Sequence, residues 1–430
     1  MMRLKCIAKS ILSLLTARRK INFYFSSLSY FDSLLALAYS FGILLHLNIK
    51  VGRNGKKKFI ECVKGKFGDR KIFLYGSARS ALYNHLKCLD FEADLEVIVT
   101  GFTCEVVPNA IINSGLKPVY ADIDPNTFCM CPKSLVECIT SKSRVLIIQH
   151  TFGISAEIST LLNIADRHNL YVIEDCAVSL GSYYKGKLTG TFGDAAIFSF
   201  ELSKTITACR GGMLFVNSNK NGGIEKQSTS YSKVPEQNLK YSSNILFQLG
   251  LSGILYRPVI YNIGQYIIAV IFKIGIFKKS TAEHEKQGII SNNYLLKLSN
   301  QQAVILRHQF KNLDNIKAHS NNISEYYFEH LSKISDLNIF LYSENKLNLT
   351  RYPILSKNRD DLIEKFNNKG IELGLWFTAP LSSHKINHLT FGYHSGNCSN
   401  AEKVAASICN LPTNIRIRKK DADNIIQLCN

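Results

Sequence analysis

The sequence predicts an α/β protein: a mainly parallel seven-stranded sheet in a large domain, followed by a smaller C-terminal α/β domain. Two patterns and a length predict it. Short apolar runs alternate with stretches of helical spacing between residues 71 and 216. A long helical block over 296–330 then leads into a second, mixed pattern, and 430 residues suffice to bury two cores. Strands that alternate with helices are joined by crossovers, which makes them parallel and covers both faces of the sheet.

The seven runs are Ile72–Tyr75, Leu95–Thr100, Pro118–Ala121, Val145–Ile148, Tyr171–Glu174, Ala195–Phe200 and Met213–Val216. Between them, Ala81–Leu89, Val106–Asn113 and Ser159–His168 carry helical spacing. Leu298, Ala303, Leu306, Phe310, Leu313 and Ile316 mark a long helix or a helix pair. Beyond it, Leu347–Leu355 reads as a strand, Arg359–Asn368 as a helix and Ile371–Trp376 as another strand. Leu411-Pro412 reads as the stop of a helix begun near Ala401. The chain thus divides into a basic, partly apolar N-terminal segment (1–70), a large domain (71–242), an apolar basic insertion (243–290), and a connecting helix with a small C-terminal domain (291–430).

Charge and cysteine usage narrow the function. The formal charge is +19, and residues 1–70 hold 14 Lys and Arg against Asp32, Glu61 and Asp69. Such a segment suits an anionic partner, but no nucleic-acid recognition motif accompanies it, so no nucleic-acid partner is expected. The 12 cysteines are scattered without a C-x-x-C pair, which argues against zinc and for a reduced, cytoplasmic interior. The basic N-terminus and Ile11–Leu15 lack a small-residue cleavage site and do not read as a cleaved signal.

Residues 33–49 carry no charge, and residues 243–279 carry only Arg257, Lys273, Lys278 and Lys279. Pro258 splits the second run into pieces short of the roughly 18 residues a spanning helix needs. Two readings stay open: peripheral contact with the inner face of a membrane, or burial against the core or a dimer interface.

The chemistry starts at Val172-Ile173-Glu174-Asp175, where an apolar strand delivers two carboxylates to its end. Open α/β sheets bind ligands there. The run Phe198-Ser199-Phe200-Glu201-Leu202-Ser203-Lys204, whose lysine lies 29 residues after Asp175, again carries a strand into a polar turn. Arg210-Gly211-Gly212 then opens the next strand. A lone Asp at a strand end is often a helix cap, and a lone Lys is usually a solvated surface group. Pyridoxal 5'-phosphate, however, needs this kit in this order. Its aldehyde needs an amine for a Schiff base. Its ring nitrogen needs a carboxylate that favours the protonated form. Its phosphate needs hydroxyls and the N–H groups of a helix start, which Gly76-Ser77-Ala78-Arg79-Ser80-Ala81-Leu82 can supply.

The ordered set resembles the DegT/DnrJ/EryC1/StrS group of fold-type-I, PLP-dependent sugar aminotransferases. The resemblance rests on Ser77–Leu82, Gly101-Phe102-Thr103, Lys117–Pro125, His150-Thr151-Phe152-Gly153, Val172–Ala177, Gly190–Lys204 and Gly211-Gly212-Met213. Fainter matches are Gln302-Ala303, Gly370-Ile371-Glu372, Asn400-Ala401-Glu402 and Leu411-Pro412. It implies that Lys204 is the Schiff-base lysine and proton shuttle, and that Asp175 partners the pyridinium nitrogen. It implies that Ser199 donates to the phosphate beside the backbone amides of Arg79 and Ser80, with Cys104 and Val178 at further cofactor-contacting positions.

The resemblance also implies a homodimer that uses an amino-acid donor, typically glutamate, and a nucleotide-linked keto sugar, for polysaccharide or glycoconjugate biosynthesis. No metal is implied. The chain departs from the family's pattern at four places. Cys104 stands where the family has an aromatic, Val178 where it has Gln or His, and Arg210 where it has Glu. The Asn-Tyr-Arg segment that reaches a neighbouring subunit's cofactor phosphate is poorly kept around Tyr294–Lys297. Related sugar dehydratases carry His at the lysine position, so Lys204 argues against that chemistry. The remaining alternatives are a non-catalytic or regulatory membrane-associated homologue that keeps the fold, and a PLP enzyme of other sugar chemistry.

His150 reads either as a strand-end residue near the site or as a structural histidine. Tyr183, Tyr184 and Trp376-Phe377 read as packing residues, the last pair also able to line the mouth of the pocket.

Overall fold

The structure, a computed structural model, describes residues 21, 27–44, 54–218, 223–277, 279–290, 294–332, 334, 337–339, 349–382 and 386–429. The seven predicted runs form one sheet: β1 Lys71–Tyr75, β2 Glu96–Thr100, β3 Lys117–Ala121, β4 Ser143–Gln149, β5 Tyr171–Asp175, β8 Ala195–Ser199 and β9 Gly212–Val216. A two-stranded hairpin, β6 Tyr183–Tyr184 and β7 Lys187–Leu188, lies outside it. The order is β1-β9-β8-β5-β4-β2-β3, with β9 antiparallel to both its neighbours and every other pair parallel. Val97–Val99 and Val145–Ile148 are wholly buried on both sides. That is why these strands read as unbroken apolar runs rather than as alternating ones.

Helices at Ala78–Leu89, Val106–Asn113 and Ile158–Arg167 cover the sheet close to the predicted spans. A further helix, Pro132–Cys138, was not legible: only Leu135 of it is buried, so it carries no apolar stripe. Its Pro132 sits in the first turn, where a missing N–H costs nothing. The block over 296–330 is a helix pair, Asn300–Lys311 and Leu313–Leu331, and the first is opened by a Ser299–Gln302 capping box. Helix Gly55–Phe67 buries Phe59, Val63 and Phe67 among Phe200, Phe215 and Phe310, with rings meeting edge to face. This part of the basic N-terminal segment therefore belongs to the core.

The small domain carries β10 Leu337–Ile339, β11 Tyr352–Ser356 and β12 Ile408–Leu411 as an antiparallel sheet. Helix Arg359–Asn368 lies where the spacing placed it. Two expectations are corrected. Ile371–Trp376 is not a strand but makes isolated bridges, Ile371 to Ile21 and Gly374 to Asn410, before the chain turns Trp376 toward the large domain. The helix begun at Ser399 ends at Ser407, not at Leu411-Pro412. Ile408–Leu411 is entirely buried as β12, and a short run covered on both faces cannot be told from a helix end by periodicity. Within Leu347–Leu355, the strand begins at Tyr352, and positions 347 and 348 lie outside the described residues.

The uncharged run 33–49 forms, over its described part, helix Tyr30–Leu44, which packs along helix Leu239–Leu255. The approach is close because the second helix is glycine-rich. A Cβ on Gly250 would lie 2.6 Å from the Ser33 carbonyl oxygen, and one on Gly253 would lie 2.2 Å from Ser33 Oγ. Ser40 Oγ completes the contact by donating to the Ser243 carbonyl at 3.0 Å. Pro258 separates this helix from Tyr261–Lys273. Among the described residues no helix is long and apolar enough to cross a membrane. Helix Tyr261–Lys273 leaves Ile263, Tyr266 and Val270 exposed, and Val259 in the turn before it extends that apolar row. All described cysteines are free.

Candidate functional site

Strand alternation sends the two carboxylates of β5 in opposite directions. Glu174 turns away from the cavity and accepts from the amides of Gly190, Phe192 and Gly193 at 2.8, 2.7 and 2.8 Å. His150 is its fourth partner, with Nε2 at 3.1 Å from Glu174 Oε2. The Ala156 amide donates to His150 Nδ1 at 3.2 Å, so the ring proton sits on Nε2 and donates to Glu174. His150 is therefore a structural histidine. It, Glu174 and Cys176 lie close enough to share a metal, but the imidazole and the carboxylate are already committed to these bonds.

Asp175 faces the cavity at the carboxyl end of the sheet. One of its oxygens accepts from the Ala177 amide at 2.9 Å. Burial pushes its pKa up, opposed by that amide and by Lys204. From β8, Ser199 enters the same cavity and the chain turns through Glu201, whose carboxylate accepts from Ser203 N at 2.9 Å and Ser203 Oγ at 2.5 Å. That turn presents Lys204. The loop after it is clamped by two buried glutamines of helix Asn300–Lys311. Gln302 Nε2 donates to the carbonyls of Ala208 and Arg210 (3.0 and 2.8 Å), and Gln309 Nε2 to that of Thr207 (2.7 Å). Desolvation lowers the pKa of Lys204 and Arg351 lowers it further, against Glu201 and Asp175.

Six of the residues singled out from sequence line this one cavity of about 290 Å³: Arg79, Cys104, Asp175, Val178, Ser199 and Lys204. Burial and Glu105 push the Cys104 thiol well up, so it meets the cavity as a neutral group. Ser80 is the exception. Its amide donates to Ser77 Oγ at 3.2 Å and its hydroxyl to the Ser77 carbonyl at 2.9 Å, so it serves the cap of helix Ala78–Leu89 and does not line the cavity.

The Gly pair has a steric reason. A Cβ on Gly212 would lie 2.3 Å from the Ser77 carbonyl carbon and 2.4 Å from Ala78 N. β9 can thus pass directly beneath the helix start only as glycine. Gly212→Ala is expected to destabilise the protein by about 1–3 kcal/mol through overpacking. Chemical denaturation measures this, and an unchanged midpoint would show slack at that crossing.

Residues missed by sequence reasoning also face the cavity. Gln149 ends β4 and accepts from Thr103 Oγ1 at 2.6 Å. The strand-end rule that selected Asp175 could have found it. Trp376, which the sequence placed either in packing or at the mouth of the pocket, lines the cavity from the small domain, with Lys204 Nζ 4.4 Å from its ring centroid and the Arg351 guanidinium 3.2 Å from it. Arg351 also donates to the Ser203 carbonyl at 3.0 Å. No local signal announces these contacts, because residues 204, 351 and 376 meet only in the fold. Trp376 is thus a wall of the site rather than core packing. Tyr183 is exposed on its hairpin and Tyr184 is buried.

A mainly parallel seven-stranded sheet with a lysine and an aspartate facing one cavity at its carboxyl edge, closed by a smaller α/β domain, is the architecture of fold-type-I transferases. Within that class, the chain belongs to the DegT/DnrJ/EryC1/StrS aminotransferase family, which it matches over residues 48–257 and 265–429. It is 27% identical over 383 residues to the uncharacterized protein MJ1066 of Methanocaldococcus jannaschii, covering 86% of this chain and 87% of that protein. It is 36% identical over 168 residues to the GDP-perosamine synthase of Escherichia coli O157:H7, covering 38% of this chain and 46% of that enzyme. Among solved structures, Spr1654 of Streptococcus pneumoniae in its PLP form superposes with a TM-score of 0.72 at 18% identity, over 95% of this chain and 97% of that one.

Proposed function

We propose that the protein is a pyridoxal-phosphate-dependent aminotransferase that moves an amino group from glutamate to the keto group of a nucleotide-linked sugar, for polysaccharide or glycoconjugate assembly. The observation that carries it is the convergence of Lys204, Asp175 and Ser199 on one cavity beside the start of helix Ala78–Leu89. The donor set fits the cofactor. Lys204 offers an amine, Asp175 a carboxylate, Ser199 a hydroxyl, and the helix start its N–H groups above the crossing that Gly212 permits. When bound there, pyridoxal phosphate supplies an aldehyde that takes up amines and a ring that withdraws electrons.

The chain's residues do the rest. Desolvation raises the neutral fraction of Lys204 Nζ, the form that attacks and that can accept and return a proton. Asp175, held in a low-dielectric wall, favours a cation opposite it and so keeps a ring nitrogen protonated. Ser199 and the backbone at Ala78 and Arg79 hold the phosphate. Trp376 and Phe377 close the small-domain side and limit water at Lys204 Nζ. A homodimer, and contact of the exposed apolar row with the inner face of a membrane, belong to the same reading.

The test is direct. Glutamate added to the purified, cofactor-loaded protein should bleach its visible absorbance, and a keto sugar nucleotide should then restore it. No response to any amino donor would remove transamination while leaving the cofactor. The lowered pKa of Lys204 adds a pH prediction. Capture of the cofactor by the apoprotein should rise with pH and level off below the ordinary lysine value of 10.5. The rate of formation of a borohydride-trapped adduct measures this, and a midpoint at or above 10.5 would contradict it.

A further inference from the structure

Residues 279–290, the far end of the apolar insertion, fold back as a strap against the start of helix Ala78–Leu89. Ser280 and Thr281 line the cavity of Lys204 and also an adjoining one of about 420 Å³. The strap is fastened at several points. Arg79 donates to the Ser280 carbonyl and, at 3.1 Å, to Thr281 Oγ1, and it pairs with buried Glu285 at 3.3 Å. Glu285 Oε2 in turn accepts from the Ala282 amide at 2.7 Å. Asn109 Nδ2 donates to the Glu285 carbonyl at 3.0 Å and Asn113 Nδ2 to that of Gly288 at 2.9 Å. Arg210 holds the near end through the Lys279 carbonyl at 2.6 Å.

These bonds have a directional consequence. A guanidinium has only donors, so Thr281 Oγ1 accepts from Arg79 and its own proton must go to another acceptor. Arg210 brings positive charge to this wall, while Arg79 and Glu285 balance each other and Glu283 is offset by Lys279 and Lys286. A hydroxyl pair beside two guanidiniums, in a cavity that Ser77 and Ser199 also line, suits a phosphate dianion.

We propose that Ser280 and Thr281 form a phosphate-binding wall, through which the insertion completes, from the same chain, the cup begun by Ser77, Arg79 and Ser199. The inference rests on the pyridoxal-phosphate reading for its first candidate phosphate. The nucleoside diphosphate of the sugar substrate is the second source of the same chemistry.

The chain has a single tryptophan, Trp376, on the same cavity, so quenching of its emission reports occupancy without turnover. Apoprotein is titrated with pyridoxal 5'-phosphate and with pyridoxal, and holoenzyme with uridine, thymidine and guanosine diphosphates. In the Ser280→Ala, Thr281→Ala double variant, the Kd for pyridoxal phosphate should rise about 10- to 100-fold while that for pyridoxal moves less than about twofold. Thr281→Ser, which keeps the hydroxyl, should bind nearly as the parent does. A loss confined to a nucleoside diphosphate would also uphold the wall and assign it to the substrate's phosphates. Equal losses for pyridoxal and its phosphate, or no loss with any probe, would overturn it. Should the parent protein bind neither vitamer, the cofactor reading fails separately, and the diphosphate titrations alone decide the wall.

Discussion

Lys204→Ala is expected to yield a folded protein that binds no cofactor covalently and transaminates at least about 10⁴-fold more slowly. The size follows from two losses at one atom: the amine that captures the aldehyde and the base that moves the proton. Folding should survive. Desolvation, helped by Arg351, outweighs Glu201 and Asp175 and disfavours the charged form of Lys204, so its removal relieves a penalty rather than breaking a satisfied pair. Borohydride reduction and peptide mass spectrometry would show an adduct on Lys204 in the parent and none in the variant. Partial rescue by millimolar methylamine would separate a missing amine from a collapsed site. Parent-like activity in the variant would remove Lys204 from the chemistry altogether.

Asp175→Asn should keep the adduct on Lys204 and lose turnover. A carboxylate near a titrating nitrogen shifts its pKa by about one to three units, so losing that charge should slow transamination roughly 10- to 10³-fold. The loss should fall on kcat and leave the phosphate contacts intact.

The apoprotein offers an independent readout with a definite sign. Burial raises the Asp175 pKa in the folded state, so the folded form holds this proton more tightly than the unfolded form does. Its contribution to stability therefore falls as pH rises from the unfolded pKa, near 3.9, through the folded one. Asn carries no such penalty and keeps the oxygen that accepts from the Ala177 amide. The apo variant should melt above apo parent at neutral pH, and the difference should shrink toward acidic pH. A variant less stable at every pH would mean that the carboxylate is structural, as its neighbour Glu174 is.

That contrast between Glu174 and Asp175 shows how far the sequence could be read. Their adjacency at the end of an apolar strand marks a ligand edge, but both acids carry the same local signature. The fold separates them. Three amides from the Gly190–Gly193 turn and the His150 ring arrive at Glu174, and none of those partners is near it in sequence. The seven strands, three of the helices between them and the residues at or just beyond a strand end, Asp175, Ser199 and Lys204, were legible because each depends on short-range pattern: burial period, turn chemistry and the ends of apolar runs. A short buried segment defeated the same method at Ile408–Leu411, where periodicity carries no information about what covers each face. Ile371–Trp376, with Leu375 exposed, has strand-like composition but makes only isolated bridges, at Ile371 and Gly374, among the described residues.

At Lys204 and Asp175, then, residue type and position at or just beyond a strand end set the available chemistry before any folding is considered. Which groups surround them follows from contacts over long chain separations. Trp376 and Arg351 reach Lys204 from the small domain, the glutamines of helix Asn300–Lys311 hold its loop, and Ser280 and Thr281 return from the insertion. Such contacts leave no local trace, because the free energy that selects them comes from surface buried between segments rather than from the preference of either segment alone.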